Sequence, residues 1–374
     1  MSARAADVVV VGGGIVGAAC ADVLSREGLA VTIVEAGVVG GGATAAGMGH
    51  VVVMDDSEAE FLLTRYSWQL WRELSAALPP EADYQPCGTI WVAADEEELA
   101  AVFRKQRYYQ DRSVPAEALD ANALREAEPH LRRGLAGGLL APDDSVVYAP
   151  VVTSWLVQRA QSRGAVLRMG TAAVAIGGNQ VRLADGSTLA TGLTINAAGA
   201  WAPQLTAGLP VRPRKGHLAI TDRYPGFVRH QLVELGYLKS AHGSAAESVA
   251  FNVQPRSTGQ VLIGSSRQFG VESPAVELAL LEKMIRRAIE YIPKLAELST
   301  IRTWTGFRAA TGDKLPLIGP HPAIPGLYLA AGHEGLGITT SLGTASLLAD
   351  QILGRQPAIP VDPYLPARLA PLIG

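Results

Sequence analysis

The feature that most narrows what this chain can fold into is its start, where Asp7-Val8-Val9-Val10-Val11 runs into Gly12-Gly13-Gly14-Ile15-Val16-Gly17. A continuous apolar run suits a strand of a parallel sheet buried on both faces, and this one stops at glycines spaced G-x-G-x-x-G. Gly12 permits a tight turn, Gly14 lets a pyrophosphate approach the backbone, and Gly17 lets the following helix pack close to the strand. That helix, predicted over Ala18 to Arg26, points its N-terminal amides and positive dipole end at the phosphates, so Ile15 and Val16 join the binding set. A second strand, Ala30 to Val34, ends at Glu35, eighteen residues beyond Gly17. A carboxylate there accepts both ribose hydroxyls and repels a 2′-phosphate, with Ala36 beside it. A lone glycine motif is weak evidence, but strand, glycines, helix, second strand and acid in register point to an adenine dinucleotide.

Size and composition limit the remaining choices. The 374 residues can hold two domains or one large discontinuous one. With 48% hydrophobic and 18% charged residues, 40 glycines and 23 prolines, the chain reads as a soluble α/β enzyme rich in tight turns. A net charge of −3 argues against a nucleic-acid partner. Cys20 and Cys87 form no C-x-x-C pair, so no metal or iron–sulfur site is expected, and two lone cysteines suit a reducing, cytoplasmic setting. Cys20 is expected to face the core. The first strand begins by residue 8, which leaves no room for a signal peptide, and no apolar run is long enough to span a membrane.

After Glu35 comes Gly40-Gly41-Gly42-Ala43-Thr44-Ala45-Ala46-Gly47-Met48-Gly49, small residues through which backbone can pass close to a flat ligand or form a flexible loop. Ser57 to Leu78 reads as an amphipathic helix whose stripe is Phe61, Trp68, Trp71, Leu74 and Leu78. A different layer follows: a strand over Cys87 to Ala93, helices over Glu96 to Arg112 and Ala121 to Leu131, and strand segments at Gly134 to Ala141 and Ser145 to Tyr148. A helix from Val151 to Arg163 leads into a strand over Val166 to Gly170. Between Thr171 and Leu189 the pattern is strand, turn, strand, with Asp185-Gly186 as the hairpin signal. The apolar strand Thr194-Ile195-Asn196-Ala197-Ala198-Gly199-Ala200-Trp201 ends in residues small enough to pass beneath a dinucleotide. From Val211 to Gly270 short strands of an antiparallel sheet are expected, carrying an Arg212, Arg214, Lys215 cluster that suits an anion or a partner protein. Pro274 to Tyr291 reads as a helix and Thr300 to Thr305 as a strand. The proline-rich tail, from Pro357 to Pro371, is expected to form an extended surface strap.

The closing segment carries further chemistry. Gly306 to Gly319 reads as a loop with Arg308 at its head, and Leu327 to Ala331 as a buried strand. Gly332-His333-Glu334-Gly335-Leu336-Gly337-Ile338 then opens a helix running to Leu353. Glycines at a helix start again aim amides at an anion. FAD needs two such termini, one for its pyrophosphate and one for the N1–C2=O edge of its ring; NAD-linked chemistry on the N-terminal fold is the alternative.

In these motifs the chain resembles the FAD-dependent oxidoreductases of the D-amino acid oxidase and glycine/sarcosine oxidase superfamily, over nearly its whole length. The carrying segments are Val11 to Gly17 with Glu35, the small-residue run to Met48, Asn196 to Trp201, and Gly332 to Ile338. The resemblance implies a Rossmann-like α/β FAD-binding domain (1–83, 142–210 and 301–374). It also implies an α+β substrate domain (84–141 and 211–300) built on an antiparallel sheet. By the same resemblance the FAD contacts extend to Gly42, Ala43, Thr44, Gly47, Met48, Val174, Ala198, Gly199, Trp201, Gly332, Gly335, Leu336, Gly337 and Ile338. Arg308 matches the arginine that holds a substrate carboxylate, a role suited to a bidentate guanidinium. His50, His217 and His333 are candidate pocket residues, or satisfied structural histidines.

Two departures from the pattern matter. No cysteine lies between Arg308 and Asp313, so FAD is expected to be non-covalent. Val261, Leu262 and Ile263 occupy the strand on which monomeric sarcosine oxidases carry an oxygen-activating lysine, which favours a dehydrogenase. Arg212 to Arg223 with Gly332 to Leu336 is most similar to flavin-bearing β subunits of multi-subunit dehydrogenases such as those acting on D-hydroxyproline; hydrogen cyanide synthase and opine dehydrogenase subunits are relatives. The implied reaction is hydride transfer from Cα of a small, cyclic, D-configured amino acid to flavin N5. Electrons then pass to a partner subunit or a quinone, with FMN at a subunit interface contacted by Arg212, Arg214 and Lys215, and with the enzyme cytoplasmic or peripheral to the inner membrane. The rivals are a glycine or sarcosine oxidase releasing hydrogen peroxide and a catalytically silent flavin-holding assembly subunit.

Overall fold

The structure, a computed structural model, describes residues 6–236 and 247–369. These residues divide into two compact units. The first contains residues up to Ala82, Tyr148–Arg214 and those from Phe307 onward; the second contains Asp83–Val147 and Lys215–Gly306.

The first unit is built on a sheet ordered Leu317–Pro320, Leu327–Ala331, Thr188–Asn196, Ala6–Val11, Val31–Glu35, Val166–Met169. All neighbours are parallel except the Leu317–Pro320 edge, which is antiparallel. Val8, Val9 and Val10 are fully buried, as a strand covered on both faces requires. The first helix, Ile15–Arg26, starts three residues before the expected Ala18 and packs against the helices Ala149–Ser162 and Gly337–Leu353. Its inward residues are small (Ala18, Ala19, Cys20, Ala21), so the helix axes approach closely. Cys20 is completely buried. The helix Glu58–Ser75 begins at an Ser57 cap whose hydroxyl accepts the Glu60 amide. Phe61, Trp68 and Trp71 lie on its buried face, against the closing helix Gly337–Leu353. There Gly343 approaches so closely that a Cβ would fall 2.2 Å from Ser67 Oγ. Thr188–Asn196 also forms the predicted hairpin with Gln180–Leu183, which pairs in turn with Ala173–Ile176.

Most of an eight-stranded sheet belongs to the second unit. Its order is Thr300–Thr311, Val211–Arg223, Gln260–Phe269, Glu247–Pro255, Gln231–Glu234, Thr89–Ala93, Gly137–Ala141, Glu117–Asp120. Several strands are longer than the short ones expected, and from Gln260–Phe269 to Glu117–Asp120 neighbours are antiparallel except the Gln231–Glu234 and Thr89–Ala93 pair, which is parallel. One face packs on the helix Leu278–Tyr291 through Ile90, Val92, Phe251, Val253, Val261, Ile263, Met284 and Ala288. Phe251 and Tyr291 stack at 4.3 Å. The helix starts at Leu278 rather than Pro274, because Glu277 is held outside it in an extended conformation.

Two further expectations change. Gly306 to Thr311 is strand, not loop: Trp304, Thr305, Phe307 and Thr311 favour an extended chain, and Gly306 is tolerated within it. The tail is no simple strap, since Asp362–Tyr364 and Pro366–Leu369 form 3-10 turns and the fully buried Tyr364 donates its hydroxyl to the Ala59 carbonyl at 2.6 Å. Pro371 lies outside the described residues.

Candidate active site

The glycine clamp forms as the sequence predicts, and its tolerances can be read from the space around each glycine. Gly12 has φ 112°, and a Cβ on it would sit 2.4 Å from the Ala197 carbonyl oxygen. A Cβ on Gly17 would lie 2.0 Å from the Gly12 carbonyl oxygen, so both glycines are required by packing alone. Gly14 is different: its nearest obstacle, Thr44 Oγ1, is 3.4 Å away. Gly14 also caps the first helix without any side-chain hydrogen bond. Glu35 accepts the Gly13 amide on one carboxylate oxygen and the Gly37 amide on the other, each at 2.7 Å. Each oxygen keeps a further lone pair for another donor. Ala36 beside it is exposed.

The small-residue run is not a free linker. The Gly40 amide donates to the Gly13 carbonyl at 2.8 Å, and Ala43–Ala46 forms one short helical turn. Thr44 Oγ1 accepts the Ile15 amide at 3.1 Å. A Cβ on Gly47 would meet Ile338 Cδ1 at 3.1 Å, and Met48 is buried. The run therefore bridges the N-terminus of the first helix and that of the closing helix, with Gly42 and Ala43 exposed between them.

The Asn196 side chain organises the next segment, donating to the Ala202 carbonyl and Thr206 Oγ1 while accepting the Ala198 amide. Gly199 takes φ 58° to begin the turn Gly199–Trp201. Trp201 remains 40% exposed with its ring 5.6 Å from that of Phe307, the neighbour of Arg308. Val174, on Ala173–Ile176, is likewise exposed.

At the closing helix, Gly332 turns with φ 82°, a position where a Cβ would lie 2.6 Å from Thr311 Cγ2. Leu336 caps Gly337–Leu353 with no side-chain hydrogen bond, leaving a second helix N-terminus without a side-chain cap in the same unit. His333 is buried, its Nε2 lies 3.0 Å from Thr344 Oγ1, and burial pushes its pKa down to about 4. A neutral imidazole tied to the helix behind it braces packing. His50 lies on the two-residue strand His50–Val51, where its carbonyl accepts the Thr339 hydroxyl at 2.9 Å.

Arg308 is half-buried near the end of Thr300–Thr311, beside Gly335, where a Cβ would lie 3.8 Å from its Nε. Ala309 accepts the Glu334 amide at 2.8 Å, which joins the arginine's strand to the Gly332–Ile338 turn. Arg212, Arg214 and Lys215 do not form one patch. Arg212 is exposed, Arg214 is buried and paired with Glu334 at 3.1 Å, and Lys215 is fully buried and paired with Glu277 at 2.8 Å. Burial lowers the Arg214 pKa, Glu334 opposes that shift, and the nearby Arg308 adds to it. His217 accepts the Glu277 amide on Nε2 and so donates from Nδ1 to Ser266 Oγ, within the second unit's interior. Among these residues Glu334 had not been singled out as functional. Its partner Arg214 is 120 residues away, and only its positive φ of 45° inside a glycine-rich turn marks it locally.

The family of FAD-dependent oxidoreductases matches residues 7–351. The chain belongs to that family. Glycine oxidase of Geobacillus kaustophilus is 29% identical, over 96% of this chain and 96% of its own. A hydrogen cyanide synthase subunit of Pseudomonas protegens is 28% identical, over 97% of this chain and 96% of its own. The crystal structure of the Geobacillus kaustophilus glycine oxidase superposes with a TM-score of 0.88 at 28% identity, covering 99% of each chain.

The residues present fit FAD. Two helix N-termini without side-chain caps, at Gly14 and Leu336, are linked by the Gly40–Met48 run, and Glu35 ends the second strand. FAD requires an anion-binding terminus for its pyrophosphate and another for its ring edge, and its ribose suits a strand-terminal acid. Among the described residues no group of three His, Cys, Asp or Glu side chains could hold a metal, and no helix is long and apolar enough to cross a membrane.

Proposed function

We infer that this FAD-dependent oxidoreductase is a dehydrogenase that oxidises the Cα–N bond of a small amino acid, of the cyclic D-configured type exemplified by D-hydroxyproline. The observation that carries the reading is Arg308, half-buried next to Gly335 and joined through Ala309 to the turn that opens the closing helix.

A guanidinium fork binds a carboxylate through two parallel hydrogen bonds and so fixes rotation as well as position. Arg308 would orient the substrate so that its Cα hydrogen points at the acceptor from the near-attack distance of ~3–3.5 Å, where positioning supplies much of the rate. When bound, FAD supplies the hydride acceptor. The substrate's neutral amine donates its lone pair as the hydride leaves, so the C=N bond forms without a protein base. The amides of Gly337 and Ile338 stabilise negative charge developing at the helix N-terminus. His333, neutral at physiological pH and held by Thr344, would not exchange a proton with substrate.

Val261, Leu262 and Ile263, buried and apolar, support a dehydrogenase over an oxygen-activating oxidase. Electrons would then leave through a partner subunit or a quinone, and the exposed Arg212 is the member of its cluster suited to an FMN phosphate at a subunit interface. The second reading is a glycine or sarcosine-type oxidase, favoured by the 29% identity to glycine oxidase over 96% of both chains. Anaerobic bleaching of the bound FAD against D- and L-amino acids, glycine and sarcosine tests the substrate class. Reoxidation by oxygen as fast as by an artificial dye would replace the dehydrogenase with the oxidase.

A further inference from the structure

A cleft opens on the second unit between the helix Ala121–Ala127 and the loop that follows it. Its lining combines Leu124, Leu131 and Leu135, which belong to the buried core beneath, with Arg125, Arg132 and Arg133. The volume is about 110 Å³, well under the ~300–1,000 Å³ of pockets for drug-sized ligands, so the cleft suits one small group and no cofactor. The loop is fixed at both ends. The Arg132 amide donates to the Tyr291 carbonyl at 2.8 Å, and the Ala136 amide donates to the Ala93 carbonyl at 3.0 Å. Between them Gly134 turns with φ 79°, and Arg132 Nη1 folds back to donate to the Arg133 carbonyl at 3.2 Å.

Neutral partners orient these guanidinium groups. Arg125 Nη2 donates to Asn122 Oδ1 at 3.1 Å, and Arg132 lies 5.8 Å from the Tyr291 ring. The carboxylates of neighbouring elements are committed elsewhere. Asp120 accepts the Asn122 and Ala123 amides, Glu128 accepts the Arg229 and His230 amides and the His230 ring, and Glu290 pairs with Arg287. Among the described residues none of the three arginines is ion-paired with a carboxylate, the exposed Glu126 of the same helix included. Each guanidinium therefore keeps donors for a ligand, and the apolar lining strengthens attraction to an anion by excluding water from one side. We propose that this cleft binds a phosphate group through the guanidinium groups of Arg125, Arg132 and Arg133. A phosphate ester carries a charge of about −1.5 to −2 at neutral pH and three acceptor oxygens, so it answers three cations better than one carboxylate does. The site lies wholly within the second unit, and the proposal does not depend on the substrate reading above.

Calorimetric titration of the holoenzyme with inorganic phosphate, at an ionic strength held constant with sodium chloride, is expected to show saturable binding. Arg125→Gln and Arg132→Gln should each weaken it by about tenfold or more, as loss of a charge-assisted hydrogen bond does. Arg132→Lys, which keeps the charge and loses the planar fork, should fall between wild type and Arg132→Gln. Arg286→Gln removes the same charge from a residue outside the cleft, where Arg286 pairs with Glu282, and should leave the affinity unchanged. Absence of saturable binding overturns the proposal, and so does a loss in Arg286→Gln equal to that in Arg125→Gln, because either outcome reduces the cleft to general surface charge. If Arg132→Gln fails to fold, the exposed Arg125 decides, and an unaltered affinity in Arg125→Gln overturns the proposal. Two further probes separate the sources of the phosphate. Binding of methyl phosphate, with none to phosphatidylglycerol vesicles, supports a soluble phosphate ester. Binding to phosphatidylglycerol vesicles over phosphatidylcholine ones, lost in Arg125→Gln, supports a lipid headgroup.

Discussion

Replacing Gly17 by alanine is the sharpest perturbation of the cofactor clamp, because its cost can be worked from one distance. The new Cβ would sit 2.0 Å from the Gly12 carbonyl oxygen, 3.1 Å from its carbon and 3.3 Å from Val10 Cγ1. An ordinary carbon–oxygen contact needs ~3.3 Å, so the first helix must move away from its strand by about 1.3 Å. It has little freedom to move, since Ala18, Ala19, Ala21 and Leu24 are fully buried and the helix packs on two others. Overpacking of this kind costs ~1–3 kcal/mol, and a displaced N-terminus would also weaken the FAD binding proposed for it. Gly14 offers the contrast, because the nearest atom to its Cβ is 3.4 Å away and no backbone is struck. Gly14→Ala should therefore leave the apoprotein's unfolding free energy in urea within ~0.5 kcal/mol of wild type while weakening FAD binding, measured by fluorescence quenching. Gly17→Ala should lower both. Equal destabilisation of the apoprotein by the two changes, or none by Gly17→Ala, would refute the argument that one glycine serves packing and the other the ligand.

Two buried titratable groups predict pH effects of opposite sign. Glu60, raised by burial and by Asp56 and Asp55 to about 8, binds a proton in the folded chain that the unfolded chain has released above about 4.5. Stability should fall as pH rises from about 5 to 8, and Glu60→Gln should flatten that part of a Tm-versus-pH curve; a slope that survives the change places its origin elsewhere. His333, lowered by burial to about 4, stays neutral in the folded chain while the unfolded chain takes up a proton below about 6.5. Its contribution is present above pH 6.5 and is lost as pH falls toward 4, so the acid limb should shrink in a His333→Gln variant, and an unaltered limb would count against a neutral buried imidazole.

How much was legible in advance follows from distance along the chain. The stretch from Val8 to Glu35 is one local βαβ unit, and its strands and helix formed as predicted except that the helix begins at Ile15; Gly17 answers to Gly12 five residues away, while the space at Gly12 is set by the distant Ala197. Leu327–Ala331 was read to the residue for the same reason, a short apolar run between turn signals. Arg308 was singled out through the family resemblance and assigned to a loop, whereas it lies in a strand. The glycine at 306 suggested a break, whereas pairing across the sheet kept the strand going to Thr311.

The sequence by itself determined the FAD-dependent class and the two helix N-termini without side-chain caps at Gly14 and Leu336, because those depend on backbone conformation and on glycines whose spacing is visible in one dimension. Only the tertiary structure decided the electrostatics around Arg308. Arg214 meets Glu334 across 120 residues, Lys215 next to it turns to Glu277, and His333 turns to Thr344. Which charge neutralises which is settled by strand register and helix docking, and no local pattern encodes a pairing between residues that far apart.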